Sequence, residues 1–145
     1  MERLRPYPVT AFCALTLFIW TTRIPLAWTN DEDSLPVKIL WSVPITAFWV
    51  AAAVLLALLL TGRAVTTAWF ASVARVFALG TIAYWAIRLP MIMVAEPPAS
   101  VDSEAAFKVV HAVLATVSIA AATLAWRSPR TGVGASEGGA TPAAA

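Results

Sequence analysis

Charge is what this chain has least of. Of its 145 residues, 12% are Asp, Glu, Lys or Arg, against roughly 25% in soluble domains. Hydrophobic residues make up 60%. So thin a polar complement cannot cover a soluble surface of this size, so most of the outside must face something apolar. Lysine occurs only as Lys38 and Lys108, and the basic residues form no run, which excludes nucleic acid as a partner. The single cysteine, Cys13, excludes an internal disulfide and a cysteine metal cluster. Its plainest role is that of a small apolar residue in a helix. Histidine also occurs once, at His111. No metal-ligand cluster, nucleophile–base pair or Gly-rich phosphate loop can be assembled from these residues. The expectation is a protein with no cofactor, no metal and no catalytic residues.

What the chain does have is long apolar runs. A spanning helix needs about 20 mainly apolar residues to cross ~30 Å of hydrocarbon at 1.5 Å per residue. Four stretches qualify, at about 7–28, 35–60, 67–95 and 104–126. Tyr7, Trp28, Trp41, Trp69, Trp85 and Trp126 recur near their ends, as interfacial belts require. Arg3 and Arg5 before the first run would suit a signal peptide. However, Pro25 and Trp28 flank Ala27 and leave no small-x-small cleavage site, so the run reads as a retained helix. Ser34 with Pro36, Thr66 or Thr67, and Asp102 or Ser103 stand where helix caps belong. Pro44 lies about two turns into the second helix and predicts a packing adjustment there. Beyond residue 127, Gly, Ser, Thr, Pro and Ala without periodicity predict a disordered tail.

The fold class expected is therefore all-α, an integral membrane four-helix bundle over 1–127, followed by a tail over 128–145. Orientation follows from the charges. Arg3, Arg5, Arg63, Arg75, Arg127 and Arg130 gather at the termini and the middle connection. Asp31, Glu32, Asp33, Glu96, Asp102 and Glu104 gather at the other two connections. The positive-inside rule then places both termini in the cytoplasm and both acidic loops outside. The Ala-, Val- and Arg-rich usage suggests a high-GC bacterium, and hence a plasma membrane.

The chain also repeats itself. Trp20-Thr-Thr-Arg23-Ile-Pro25 returns as Trp85-Ala-Ile-Arg88-Leu-Pro90, 65 residues later. After an acidic loop, Lys38-Ile-Leu-Trp41 returns as Lys108-Val-Val-His111, 70 residues later. Two elements in the same order suggest tandem hairpins, at about 7–62 and 67–127. Each half holds two helices, so the halves would be related by an axis along the membrane normal, with their motifs facing across it. Ala112, Ala115, Ser118 and Ala122 would allow the fourth helix a close neighbour.

Arg23, Lys38, Arg88 and Lys108 are the candidate anion- or lipid-binding residues. Both arginines fall nominally below the outer surface, because apolar chain continues past them. An unpaired arginine there costs a few kcal/mol. Trp20 and Trp85 share a helix face with them at i, i+3. Pro25 and Pro90 free the carbonyls of Thr21 and Ala86. Glu104 suits an i, i+4 pair with Lys108. One reading is that these groups only anchor helix ends by snorkelling. The other is that they line an outward pocket for a lipid phosphate, which arginine contacts bidentately. His111 occupies the place of Trp41 in the other half, which argues for packing; a general base is the sharper alternative.

Asp102, five residues, Lys108-x-x-His111 at a helix entrance resembles the VanZ-like membrane family, whose signature sets Asp-Lys directly before x-x-His. Here the Asp is displaced and nothing else in the chain matches, so the resemblance implies no function. In overall build the chain is similar to small four-helix integral membrane proteins of high-GC actinobacteria, which implies location alone. The expectation is a structural or accessory membrane protein binding a partner protein, a second copy or an anionic lipid head group at its outer face. The alternatives are a small oligomeric anion transporter or channel, for which no membrane-embedded carboxylate is on hand, and a membrane enzyme acting on a lipid-linked phosphate.

Overall fold

A computed structural model describes residues 7–29, 33–97 and 103–128. Arg3, Arg5, Asp31, Glu32, Asp102, Arg130, Glu137 and the tail past Ser128 lie outside the described residues. Four helices form: α1 (Tyr7–Thr29), α2 (Leu35–Leu60), α3 (Phe70–Val94) and α4 (Glu104–Arg127). Each is long and apolar enough to cross a membrane.

Their ends have local causes. Pro36 stands in the first turn of α2, where its missing N–H costs no helical bond. Gly62 stops α2 with φ of 74°, a left-handed conformation that needs no Cβ. The Gly62 amide donates to Leu59 O and the Arg63 amide to Leu58 O, so both orphan carbonyls are satisfied in a Schellman arrangement. The third helix starts three residues later than expected. Thr66 and Thr67 turn their hydroxyls back onto Arg63 O and so build the connection rather than cap the helix. Ser103 caps α4, its hydroxyl accepting from the Ala106 amide. Helices α1, α2 and α3 run on past Pro25, Pro44 and Pro90.

Each hairpin packs its own two helices most closely, α1 on α2 and α3 on α4. Further contacts join α1 to α4 and α2 to α3, so the four form a ring with α1 and α3 on a diagonal. Aromatic side chains bridge that diagonal. The rings of Phe12 and Phe77 have centroids 4.5 Å apart, and Trp20 and Trp85 stack at 6.1 Å with planes 22° apart. Both pairs join residues 65 positions apart. The buried faces of α1 and α3 agree at the same spacing, with Val9 against Ala74, Cys13 against Ala78 and Thr16 against Thr81. On α4 the buried residues are Ala115, Ser118, Ala122 and Ala125, and these small side chains permit close approach. Cys13 is buried in this core as a free thiol.

The outside is apolar on every helix, with Phe18, Val43, Ile87 and Val113 all exposed. Water-soluble monomers rarely present large contiguous apolar surfaces. Water would penalise such a surface heavily, whereas hydrocarbon would not.

Candidate functional site

Two cores divide the bundle along its length. Phe12, Leu55, Leu59 and Phe77 centre the one near the α2–α3 connection. Ile19, Trp20, Ile45, Trp85 and Ala115 centre the other, toward the α1–α2 and α3–α4 connections. Above the tryptophan core the four helices enclose a cavity of about 180 Å³. Its wall takes Trp20 and Arg23 from α1, Trp41 from α2, Tyr84, Trp85 and Arg88 from α3, and Phe107 and His111 from α4.

Sequence spacing puts the polar groups at one level. Arg23 precedes the end of α1 by six residues and Arg88 precedes the end of α3 by six. Trp41 follows the start of α2 by six and His111 follows the start of α4 by seven. At 1.5 Å per residue, all four lie about 9–11 Å inside the helix ends. The repeat-related pairs Arg23/Arg88, Trp20/Trp85 and Trp41/His111 thus share one cavity.

The two arginines wall one cavity without a counter-ion among the described residues. Among the described residues the ion pair formed is Lys108–Glu104, and neither Arg23 nor Arg88 meets a carboxylate. The Arg88 guanidinium lies over Trp41, 3.9 Å from the ring centroid, in the same wall as Tyr84. The cation–π partner of Arg88 is therefore on the neighbouring helix, in place of the Trp85 expected from i, i+3 spacing. A contact of this kind contributes about 0.5–2 kcal/mol, less than the ~3 kcal/mol cost of an unpaired arginine in hydrocarbon. Arg23, Arg88 and His111 wall the same cavity.

A further donor lacks a partner. Trp85 is 3% exposed, and its buried Nε1–H meets no acceptor among the described residues. A buried donor left unmade costs about 1–3 kcal/mol. His111 Nδ1 lies 2.8 Å from Phe107 O. A carbonyl can only accept, so Nδ1 carries the proton and Nε2 of the neutral ring is an acceptor.

The remaining candidates lie away from the cavity. Lys38 donates to Trp28 O at 3.2 Å, closing the C-terminal end of α1, where a cation complements the helix dipole. Lys108 is held by Glu104 one turn earlier, an exposed pair on the outside of α4. Both lysines anchor helix ends, so the four-cation set expected from the sequence reduces to two arginines. Thr21 uses its hydroxyl to accept from Trp49 Nε1 at 2.9 Å. Tyr84 and Phe107 are wall residues that no sequence motif marked. Tyr84 stands one turn before Arg88, and only the packing of α2 on α3 shows that it faces inward.

No protein-family model, curated protein or solved structure matches the chain.

Proposed function

We propose that this is a multi-pass plasma-membrane protein, both termini cytoplasmic, that acts as a structural or accessory component and holds a phosphate-type oxyanion in the two-arginine cavity at its outer face. The observation that carries this reading is that Arg23 and Arg88, neither meeting a carboxylate among the described residues, wall one cavity together with a tryptophan whose buried N–H has no acceptor among those residues. Two guanidiniums and an indole N–H are donors only. A group with several acceptor oxygens and negative charge suits such a set of donors, and arginine forks match phosphate geometry. The depth of about 9–11 Å below the helix ends suits the head-group boundary of a bilayer.

The matched pairs Phe12/Phe77, Trp20/Trp85 and Arg23/Arg88 further support an origin by duplication of one hairpin. In that account a two-fold axis passes through the anion site, and each half supplies one arginine.

Trp85→Phe tests the site directly, because it removes the N–H and keeps the ring. Phosphatidylglycerol binding, read by native mass spectrometry of the purified protein, should weaken three- to tenfold, about one neutral hydrogen bond. Unfolding resistance of the lipid-free protein should be unchanged or higher, because a buried unpaired donor is gone. Unaltered lipid binding would remove Trp85 from the site.

One observation favours a second reading, an enzyme acting on a lipid-linked phosphate. His111 shares the cavity with both arginines and holds Nε2 as a neutral acceptor, the state a general base needs. His111→Gln should leave lipid binding within twofold and leave complementation of a deletion strain intact if the protein only binds. Loss of complementation with binding retained would instead make His111 a base.

A further inference from the structure

The anion cavity is too small to hold a whole organic ligand. At about 180 Å³ it falls below the roughly 300–1,000 Å³ of sites that enclose one. A second concavity of about 380 Å³ opens on the same bundle, between α2 and α3. Its walls are almost wholly apolar, formed by Phe48 and Ala51 of α2 and by Val73, Val76 and Gly80 of α3.

The two concavities follow one seam. Along α3 the positions Arg88, Tyr84, Gly80, Val76 and Val73 succeed one another at three- or four-residue steps and so share a helix face. The first two wall the anion cavity and the last three wall the groove. Antiparallel to them on α2 run Trp41, Ile45, Phe48 and Ala51. The seam is tied across at the cavity by Arg88 over Trp41. It is tied again at its middle by Phe48 and Tyr84, whose rings meet edge to face at 5.7 Å.

Phe48 also explains how the groove is held open between α2 and α3. Its ring rests where Gly80 has no side chain, since a Cβ there would come within 3.3 Å of it. The ring packs on Phe77 at 5.8 Å as well, and so holds α2 off α3. In the other half the corresponding residues are Ser118 for Phe48 and Leu15 for Gly80. Ser118 is small and buried, and α4 closes more tightly on α1 than α2 does on α3. The two halves thus differ at both positions, Phe48 and Gly80, that shape the groove beside the arginines.

We propose that the α2–α3 groove holds an acyl chain of the same molecule whose phosphate the arginines bind, so that the ligand is a phospholipid and not a free oxyanion. The inference rests on the two-arginine reading given above. From Arg88 to Val73 is 15 residues, about 22 Å of seam. One leaflet of hydrocarbon is about half of ~30 Å, so a chain hanging from the arginines passes Gly80, eight residues or about 12 Å along the seam, and enters the near end of the groove. The apolar groove and the charged cavity match the two ends of a phospholipid, and on α3 the one seam residue between Arg88 and Gly80 is Tyr84.

Two substitutions fill the groove without touching the arginines. Gly80→Leu drives a side chain into it. Val76→Trp, at a position 71% exposed, covers it from outside and leaves the core intact. Each protein is purified in detergent and assayed by native mass spectrometry for retained phosphatidylglycerol and, separately, for binding of inorganic phosphate. The expected result is at least a tenfold loss of lipid retention in both variants, with phosphate binding within twofold of the parent. If Gly80→Leu fails to fold, Val76→Trp alone carries the test. Lipid retained in the groove variants but lost in an Arg23→Gln/Arg88→Gln protein would overturn the groove and leave the anion site standing. Lipid retained in the arginine variant as well would overturn both. Phosphate binding with no lipid retained by the parent protein would identify a free-oxyanion site and overturn the groove.

Discussion

Replacing Arg23 and Arg88 together with Gln should strip the protein of phosphate-bearing lipid and leave the bundle folded. A charge-assisted hydrogen bond contributes about 1.5–3 kcal/mol, and each 1.4 kcal/mol is tenfold in affinity. Losing one arginine therefore costs roughly ten- to a hundredfold, and losing both removes binding at any practical concentration. Stability moves the other way. Neither guanidinium has a carboxylate among the described residues, and each charge so placed costs about 3 kcal/mol in hydrocarbon. Without ligand the double variant should resist denaturation at least as well as the parent. Native mass spectrometry reads the first effect and unfolding in mixed detergent micelles reads the second. A variant that loses lipid only because it unfolds would show both falling together, and would reduce the arginines to anchors.

Phe12→Ala and Phe77→Ala carry the largest expected effects on stability. Phe12 is 1% exposed and Phe77 4% exposed, and the two rings meet across the diagonal of the ring of helices. In a soluble core such truncations cost about 3–5 kcal/mol. Lipid is as apolar as the core, so a bundle in a bilayer loses the packing term and not the transfer term. About 2–3 kcal/mol is expected for Phe12→Ala. Phe77 also packs on Phe48, whereas Ser118 stands at the position matching Phe48 in the other half. Phe77→Ala should therefore cost more, by the ~0.5–1.5 kcal/mol of an aromatic contact. The double variant should cost less than the sum, because the two rings share one interaction. Strict additivity would mean that they do not touch in the membrane.

The helices were legible because membrane spans announce themselves through length and composition alone, and three of the four starts coincide with the expected residue. The start of α3 was not legible. Thr66 and Thr67 offer the same hydroxyl to a cap or to a turn, and only Arg63 O, exposed by the end of α2, decides between them. Arg23, Arg88, Trp20, Trp85 and His111 were marked by the repeat, since matched residues in two hairpins meet near any axis relating them. Lys38 and Lys108 belong to the same motifs but point elsewhere. They lie on the helices that begin at this end and within a turn of those starts, so a carbonyl or carboxylate of the loop region is nearer to them than the cavity. Tyr84 and the Phe48 wedge left no trace in the sequence. An aromatic residue in an apolar helix gives no sign of whether it faces lipid or a neighbour until the neighbour is in place.

Native mass spectrometry of the protein extracted gently from its own membrane decides whether the two-arginine cavity holds a lipid. The expected result is a chain carrying a bound phospholipid that survives mild activation and disappears in the Arg23→Gln/Arg88→Gln variant. A bare chain, or a chain bound only to another polypeptide, would contradict it.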